Sequence, residues 1–267
     1  MDSTSDPDVA RWYTLPEEGE SAESQISGIR RLAVVGGGQM GAGIAEIAAR
    51  AGLDGADAAI EAVVEDVAEK RRVFALLDRH LPDAAFLASN TSSVPIMNLA
   101  SATSRPERVL GLHFFNPVPV MDLVEVVPSL MTDARIVRHA ARLIADVFGK
   151  TVIRAPDRAG FVVNALLIPY LLCAIRMLEM GPASREEIDQ GMVNGCHHPM
   201  GPLRLADLIG LDTVLAVSGS LYEEFHDAFY SAPPLLKRMV EAGKLGRKAG
   251  IGFYAYGGAP AQLTSAP

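Results

Sequence analysis

The chain has 267 residues, a formal net charge of −8 and a composition that is 49% hydrophobic. This length accommodates two domains of ordinary size with sizeable cores. The acidic balance argues against a nucleic-acid partner, and no apolar run is expected to reach transmembrane length, so we expect neither nucleic acid nor a membrane as a partner.

The two ends of the chain differ in composition from the rest. Residues 1–28 are rich in Ser, Asp, Glu and Pro and lack a signal pattern, so we expect a disordered extension, and residues 258–267 are expected to be a frayed tail. Cys173 and Cys196 have neither disulfide nor metal spacing. They predict reduced thiols and a cytoplasmic protein without a metal.

A phosphate-binding motif follows the first predicted strand, Leu32–Val35. Gly36, Gly38 and Gly41 stand at G-x-G-x-x-G spacing, and an amphipathic helix continues to Arg50. The first glycine permits a tight turn, the second lets a pyrophosphate approach the backbone, and the third lets helix and strand pack closely. The pyrophosphate is expected on the helix N-terminus, where free N–H groups and the dipole favour an anion. The predicted cofactor-binding residues are Gly36, Gly37, Gly38, Gln39, Met40 and Gly41.

Three segments follow with less specific patterns. Ala59–Glu65 is predicted to be a strand, and Glu65 is predicted to begin a helix that reaches about His80. On composition alone, this helix is a solvated one with Asp66 and Lys70 as an i,i+4 charge pair. A strand is predicted over residues 85–90, and Ser92 follows its carboxyl end, where its hydroxyl can reach a ligand or cap a helix over Pro95–Ser101.

The most chemically suggestive stretch is G-L-H-F-F-N-P-V-P-V-M-D-L-V-E, residues 111–125. His113 follows a predicted buried strand, Val109–Leu112, and ligands of open α/β sheets bind beyond the carboxyl ends of the strands. Histidine titrates nearest to neutral pH, which suits a proton relay. Asn116 supplies an amide donor, and Glu125 lies on the next apolar segment.

The remaining pattern predicts the end of the sheet and then a helical domain. From Val124 the chain is predicted to form a strand, a helix and a last strand, with Pro156–Gly160 as a linker. Helical periodicity then dominates. The predicted elements are a helix over Asp133–Phe148, a strand over Thr151–Arg154, and helices over Phe161–Met180, Ser184–Asn194, Pro202–Phe225 and Pro233–Ala242.

The blocks of sequence resemble the short-chain 3-hydroxyacyl-CoA dehydrogenases, including 3-hydroxybutyryl-CoA dehydrogenase. The resemblance runs from about Ile29 to about Tyr256 and includes I-E-A-V-V-E-D, L-A-S-N-T-S-S, H-F-F-N-P-V-P-V-M, G-F-V-V-N, H-P-M-G-P and L-G-R-K-A-G-I-G-F-Y. It implies an α/β fold in which a truncated, Rossmann-like parallel sheet domain is followed by an all-α domain. It also implies NAD as cofactor and an acyl-CoA substrate oxidised at its 3-hydroxyl.

The resemblance assigns roles to individual residues. His113 matches the catalytic base and Glu125 the carboxylate that orients it. Ser92 and Asn164 match residues that hold the substrate oxygen and the histidine in line, and Asn116 supports the substrate loop. Ser92 also belongs to the implied cofactor site, together with residues matching Glu65, Lys70 and Lys248.

One family block is missing from the chain. Members of the family have several tens of residues between the first helix and the strand at Ala59, forming a second strand, a helical pair over the substrate and a third strand. The second strand ends in an acidic residue that binds the adenosine ribose, about twenty residues past the glycines. Ala58 and Ala59 stand at the aligned place, and we do not transfer that role to Asp54 or Asp57.

The gap also poses a topological problem. Joining the first helix directly to the strand at Ala59 predicts either a left-handed crossover, which is rare, or placement of this strand in the slot of the missing second strand. The predicted domains are an extension over residues 1–28, an NAD-binding domain lacking the second and third strands over 29–157, a helical substrate and dimerisation domain over 158–257, and a tail over 258–267.

The apolar helices predict a homodimer through the helical domain. Leu203–Leu211 and Val214–Leu221 contain more apolar surface than we expect one small domain to cover. His197, His198 and Met200 are interpreted as packing residues, not metal ligands.

Two other functions are considered. A β-hydroxyacid dehydrogenase of free acids shares G-x-G-x-M-G but needs a lysine on the first helix of its second domain, and Phe161–Pro169 contains none. The other alternative is a catalytically weak or silent family member that acts as a dimeric binding module.

Overall fold

The computed structural model describes residues 32–51, 57–82 and 86–257. The predicted extension and tail, and Asp54, lie outside the described residues. The chain divides into two compact units with the boundary between Phe161 and Val162. The predicted linker, Pro156–Gly160, immediately precedes this boundary.

The first unit is a six-stranded sheet with helices on its two faces. Each strand is short, and its residues are mostly buried, as expected for a sheet covered on both faces. The elements in chain order are β1 (Leu32–Val35), α1 (Gln39–Arg50), β2 (Ala58–Glu61), α2 (Val67–His80), β3 (Phe86–Ser89), α3 (Ile96–Ala100), β4 (Val109–Phe114), β5 (Leu123–Pro128), α4 (Ala134–Arg142) and β6 (Thr151–Arg154).

The strands lie side by side in the order in which they occur in the chain. β1 to β4 are parallel, β5 is antiparallel to β4, and β6 is parallel to β5. The fold class is therefore confirmed as a Rossmann-like domain followed by helices, but the sheet is mostly parallel instead of wholly parallel. The reversal follows from the short loop between β4 and β5, because a parallel neighbour would need a long crossover.

The connection through α1 has the opposite hand to the next two connections. α1 packs on the sheet face that carries Leu110 and Leu112. α2 and α3 pack together on the other face, where Ile96 of α3 lies against Gly111. All three connections step in the same direction across the sheet, so a change of face is a change of hand. With the usual right hand for α2 and α3, α1 makes the left-handed crossover, which is the first of the two predicted outcomes.

Several predicted boundaries in this unit are wrong by one to six residues. α2 begins at Val67 because the Asp66 carboxylate accepts from the amide of Glu69 as its N-cap. Asp66 is therefore a cap and not the partner of Lys70. α4 ends at Arg142, and the chain continues as a π-helical turn over Leu143–Val147.

The second unit is all helical. Its elements are α5 (Val163–Met180), α6 (Arg185–Cys196), α7 (Pro202–Ile209), α8 (Leu211–Phe225) and α9 (Pro234–Glu241). The helix predicted over Pro202–Phe225 is two helices that bend by 94°, because Gly210 adopts φ +104° between them.

Most apolar residues of α7 and α8 are covered. Leu203, Leu211, Val214 and Leu221 are fully buried, but Leu208 is 48% exposed, so these segments leave part of the predicted apolar surface uncovered. α5 carries further exposed apolar side chains. It is also long and apolar enough to cross a membrane by length and composition, contrary to the sequence prediction, although a third of its residues are buried in the unit.

Candidate active site

The site in the first unit is built around His113, which lies within β4 and not beyond its end. The antiparallel register places Glu125 of β5 directly opposite His113. The two side chains meet with 2.6 Å between His113 Nδ1 and Glu125 Oε2, and both are buried. A carboxylate at Nδ1 favours the tautomer with its proton on that nitrogen, which leaves Nε2 able to accept a proton.

Ser92 approaches the other ring nitrogen. Its Oγ lies 3.0 Å from His113 Nε2, so the structure brings these two predicted site residues together. The rings of Phe115 and Phe161 pack edge-on against the imidazole at centroid distances of 4.7 and 5.4 Å. His113 is thus fixed by a carboxylate, a hydroxyl and two aromatic rings.

Ser92 belongs to a tight turn that follows β3. The Thr91 hydroxyl accepts from the amides of Ser93 and Val94. Glu65 accepts from the amides of Ser92 and Ser93 at 3.0 and 3.1 Å. One interpretation of the sequence made Ser92 the cap of α3, and this interpretation is wrong. The Asp157 carboxylate caps that helix, since it accepts from the amides of Ile96 and Met97.

Lys70 is not available as a free surface charge. Its side chain is 1% exposed, and its ammonium lies 2.8 Å from Glu61 Oε1 and 3.2 Å from Glu65 Oε2. The interpretation of α2 as an ordinary solvated helix at this position is therefore wrong. The contact of Lys70 with a cofactor stays a prediction.

The phosphate-binding motif has the geometry that its spacing predicts. A Cβ at Gly36 would lie 2.3 Å from the carbonyl oxygen of Ala62, and a Cβ at Gly41 would lie 2.0 Å from that of Gly36. Gly37 and Gly38 face open space. α1 begins after Gly38 without a side-chain cap, so its first amides remain for an anion. These residues fit the pyrophosphate of a dinucleotide such as NAD.

The rest of the predicted site is distributed around this loop. Gln39 and Asn116 are exposed and line a cleft. The same cleft is lined by Glu46 of α1 and by Val118 and other residues of the loop after β4. The side chain of Met40 packs against the core instead, which leaves only its backbone for a cofactor.

Lys150 was missed by the sequence analysis. Its buried ammonium donates to the carbonyls of Val118 and Met121 at 2.8 Å and thereby fixes the loop after β4. A lysine before the last strand carries no sequence signal for this role, because its partners are backbone atoms about thirty positions away.

Two predicted residues belong to the helical unit. Asn164 lies in the first turn of α5, and its approach to His113 stays a prediction. Lys248 pairs with Asp212 within the helical unit at 2.6 Å, and its contact with a cofactor likewise stays a prediction. The His198 ring bonds to the hydroxyl of Tyr170, as expected of a packing residue.

Among the described residues, neither carboxylate near β2 is placed to bind the adenosine ribose. Asp57 precedes β2 and therefore lies at the amino ends of the parallel strands. The phosphate-binding loop follows β1 and lies at their carboxyl ends. Glu61 is in register with Val35 at the carboxyl ends of the strands, but it is fully buried and bonded to Lys70 and Ser89.

A glycine-rich dinucleotide loop, a histidine–carboxylate pair at the same sheet and a following helical unit together define a nicotinamide-dependent dehydrogenase. Comparison with known sequences makes the class specific. Residues 53–158 match the family described as 3-hydroxyacyl-CoA dehydrogenase, NAD binding domain, and residues 160–256 match its C-terminal domain. The chain belongs to the 3-hydroxyacyl-CoA dehydrogenase family.

Individual relatives are similar over most of their length. A 3-hydroxybutyryl-CoA dehydrogenase of Mycobacterium tuberculosis is 48% identical over 282 aligned positions, which cover 85% of this chain and 99% of the relative. The alignment is longer than this chain, so some residues of the relative are aligned with gaps in the sequence of this chain. The position of the missing block stays a prediction.

Solved structures show the same fold. The crystal structure of M. tuberculosis FadB2 matches with a TM-score of 0.84 and 47% identity, over 86% of this chain and all of that one. The (S)-3-hydroxybutyryl-CoA dehydrogenase PaaH1 of Ralstonia eutropha matches with a TM-score of 0.82 and 38% identity, over 86% of this chain and all of that one.

Proposed function

We propose that the protein catalyses the reversible, NAD-dependent oxidation of the 3-hydroxyl of a short 3-hydroxyacyl-CoA, such as 3-hydroxybutyryl-CoA. The single observation that carries this proposal is the Ser92–His113–Glu125 chain beside an intact phosphate-binding loop. The names of the similar proteins from M. tuberculosis and R. eutropha support the substrate class.

The chain of hydrogen bonds defines the acid–base chemistry. Glu125 accepts from His113 Nδ1, so Nε2 is the nitrogen that takes the proton of the substrate hydroxyl, and Glu125 stabilises the imidazolium that results. The Ser92 hydroxyl, at bonding distance from Nε2, holds the substrate oxygen in line with it. Gly36–Gly41 would hold the pyrophosphate of NAD, which would supply the hydride-transfer chemistry at C3.

The test is oxidation of NADH by acetoacetyl-CoA, followed by absorbance. We expect turnover by the wild type and a loss on the order of 10²–10⁴-fold in His113→Gln, because a general acid–base is removed. His80→Gln, at the exposed end of α2, is the control and is expected to keep full activity. Absence of turnover in a folded wild type that binds NADH would favour the alternative of a silent family member.

We also propose a homodimer formed through the helical unit, with α5 as the contact. Exposed or half-buried apolar side chains recur on α5 at alternating spacings of four and three residues, at Leu166, Tyr170, Cys173, Met177 and Met180. Leu166 and Met180 are 74% and 76% exposed. This spacing produces a continuous apolar stripe of the kind that packs against a second helix.

Light scattering at micromolar concentration tests the dimer. The variant Leu166→Glu/Met177→Glu should be monomeric, because it places charges in the stripe. Leu130→Glu replaces an equally exposed leucine of the first unit and should remain a dimer. A monomeric wild type would contradict the proposal.

The cytoplasm is the proposed location of this enzyme. The two cysteines are free and exposed, as is common where thiols are kept reduced. The acidic net charge supports the absence of a nucleic-acid partner. Fractionation of cells carrying the tagged protein tests the location, and recovery with membranes would contradict it.

A further inference from the structure

A chain of charges lies behind the turn that carries Ser92, and two of its three members, Lys70 and Glu61, are buried. Lys70 is 1% exposed and bridges Glu61, which is fully buried, and Glu65. A buried cation is costly unless it is paired and hydrogen-bonded. Lys70 meets this condition through two carboxylates from different segments, one at the end of β2 and one in the loop before α2.

Glu65 transmits this charge to the turn. Its Oε1 accepts from the amides of Ser92 and Ser93 and from the hydroxyls of Thr91 and Ser93, while its Oε2 faces Lys70. Burial opposes ionisation of this carboxyl, but the charge of Lys70 and the two hydroxyl bonds outweigh it, so that the pKa of Glu65 is lowered. Glu65 is therefore a charged acceptor for the turn.

Glu61 reaches the same turn by a second route. Glu61 Oε2 accepts from Ser89 Oγ at 2.7 Å. The same Ser89 Oγ accepts from the amide of Thr91 at 3.2 Å. Both routes end within two residues of Ser92, whose Oγ lies 3.0 Å from the Nε2 of His113. Removal of the Lys70 ammonium would leave Glu65 Oε2 without the partner that fixes this side chain, so that Glu65 and the turn it holds would shift.

We propose that Lys70, through Glu65, and Glu61, through Ser89, are positioning residues that hold the Ser92 hydroxyl at the catalytic histidine. This inference rests on the proposed dehydrogenase function only for its kinetic consequences. This role is separate from any contact with a cofactor, because it acts on the turn through the two carboxylates that engage the ammonium.

The kinetic test compares Lys70→Met with Arg72→Met. Arg72 lies on the same helix and pairs with Glu69 at the surface, so its loss should leave kcat unchanged. We expect Lys70→Met to lower kcat on the order of 10- to 100-fold, as misplaced catalytic groups do, with little change in KM for NADH. In a Ser92→Ala background, Lys70→Met should have almost no further effect.

A cofactor-binding role would give the opposite pattern. KM and Kd for NADH would rise in Lys70→Met, and the losses from Lys70→Met and Ser92→Ala would multiply. That result would overturn the proposal. Since an unpaired buried carboxylate can unfold a variant, Glu61→Gln/Lys70→Met, which removes both charges, is measured beside it and should show the same loss of kcat.

A spectroscopic readout separates this proposal from the proposed function. The ¹⁵N shifts of the His113 ring report the hydrogen bonds of its two nitrogens, and His113→Gln identifies its signals. Ser92→Ala should alter the Nε2 signal, and Lys70→Met and Glu61→Gln/Lys70→Met should reproduce that change while Arg72→Met does not. This holds whether or not the wild type turns over acetoacetyl-CoA. An unchanged Nε2 signal in the folded Lys70 variants would contradict the positioning role.

Discussion

The glycines of the phosphate-binding loop divide into two groups at the scale of single residues. Gly36, with φ +129°, and Gly41 are required by the backbone, because a Cβ at either would overlap a carbonyl oxygen. Gly38 has an extended conformation and open space around it. No contact within the described residues therefore requires glycine at position 38, and the requirement comes from a ligand that must approach the backbone.

This division predicts opposite effects of two similar substitutions. Gly36→Ala should destabilise the protein by about 1–3 kcal/mol or more through overpacking. Gly38→Ala should leave stability unchanged and weaken NADH binding. Urea unfolding and fluorescence titration of NADH measure the two quantities. Gly191→Ala, in open space on α6 of the helical unit, is the control and should leave NADH affinity unchanged, and equal NADH affinity in Gly38→Ala would contradict the assignment.

Glu65 gives a prediction for pH. Its pKa in the folded protein is lowered from 4.5, so its contribution to stability is fully present above about 4.5 and is lost as pH falls through the folded value. The difference in unfolding free energy between wild type and Glu65→Gln should therefore shrink on acidification below that pH. Urea titrations across the acid range measure it. Glu223→Gln, at an exposed position of α8, is the control, and a difference independent of pH would contradict the prediction.

At the scale of elements, α3 depends on a cap from a distant segment. The Asp157 carboxylate accepts from the amides of Ile96 and Met97, and removal of a capping carboxylate typically costs about 0.5–2 kcal/mol. Asp157→Ala should lower the unfolding free energy by that amount, as measured in urea. Asp66→Ala, which removes a local cap from α2, provides a comparison. A neutral Asp157→Ala would show that the cap contributes nothing to stability.

The sequence predicted the elements and the catalytic chain because their signals are local or have a known family pattern. Buried strands, the glycine spacing and His113, Glu125 and Ser92 all belong to such patterns. The cap of α3 could not be predicted, because the accepting carboxylate and the two donating amides are about sixty residues apart. The burial of Lys70 was missed for a related reason: a lysine on a polar helix indicates solvent unless its two carboxylate partners are known.

The order of the strands shows a second limit of sequence reasoning. Periodicity predicts that β4 and β5 exist but not their relative direction, which depends on the short loop between them. The face occupied by α1 could be predicted only as a choice between two outcomes, because hydrophobic pattern does not distinguish the hands of a crossover. The exposed stripe on α5 was also missed. Which helices bury their apolar residues depends on how α5, α7 and α8 pack together, and this tertiary packing cannot be predicted from their hydrophobic patterns.

At the scale of the whole molecule, the described residues provide a loop for the pyrophosphate but no carboxylate that is placed for the adenosine ribose. Asp57 lies at the wrong edge of the sheet, and Glu61 is buried in its ion pair. Loss of a charge-assisted hydrogen bond to the ribose should weaken NAD binding by roughly 1.5–3 kcal/mol, about ten- to a hundred-fold.

The absent carboxylate also removes the usual repulsion of a 2′-phosphate, so NAD should be preferred only weakly over NADP. Calorimetric titration with both cofactors measures the preference. Tight binding of NAD together with strong rejection of NADP would show that another carboxylate contacts the ribose.

β1 forms one border of the sheet among the described residues. The carbonyl of Val35 points toward β2, so the amide and carbonyl of Val34, the preceding residue, point away from the sheet. An unpaired row of backbone groups is a template for further strands, and proteins ordinarily shield it. Storage behaviour is therefore the property in which this protein should differ from relatives with a wider sheet: its solutions should become turbid sooner on concentration, and a lysine placed at Ala33 should delay that onset.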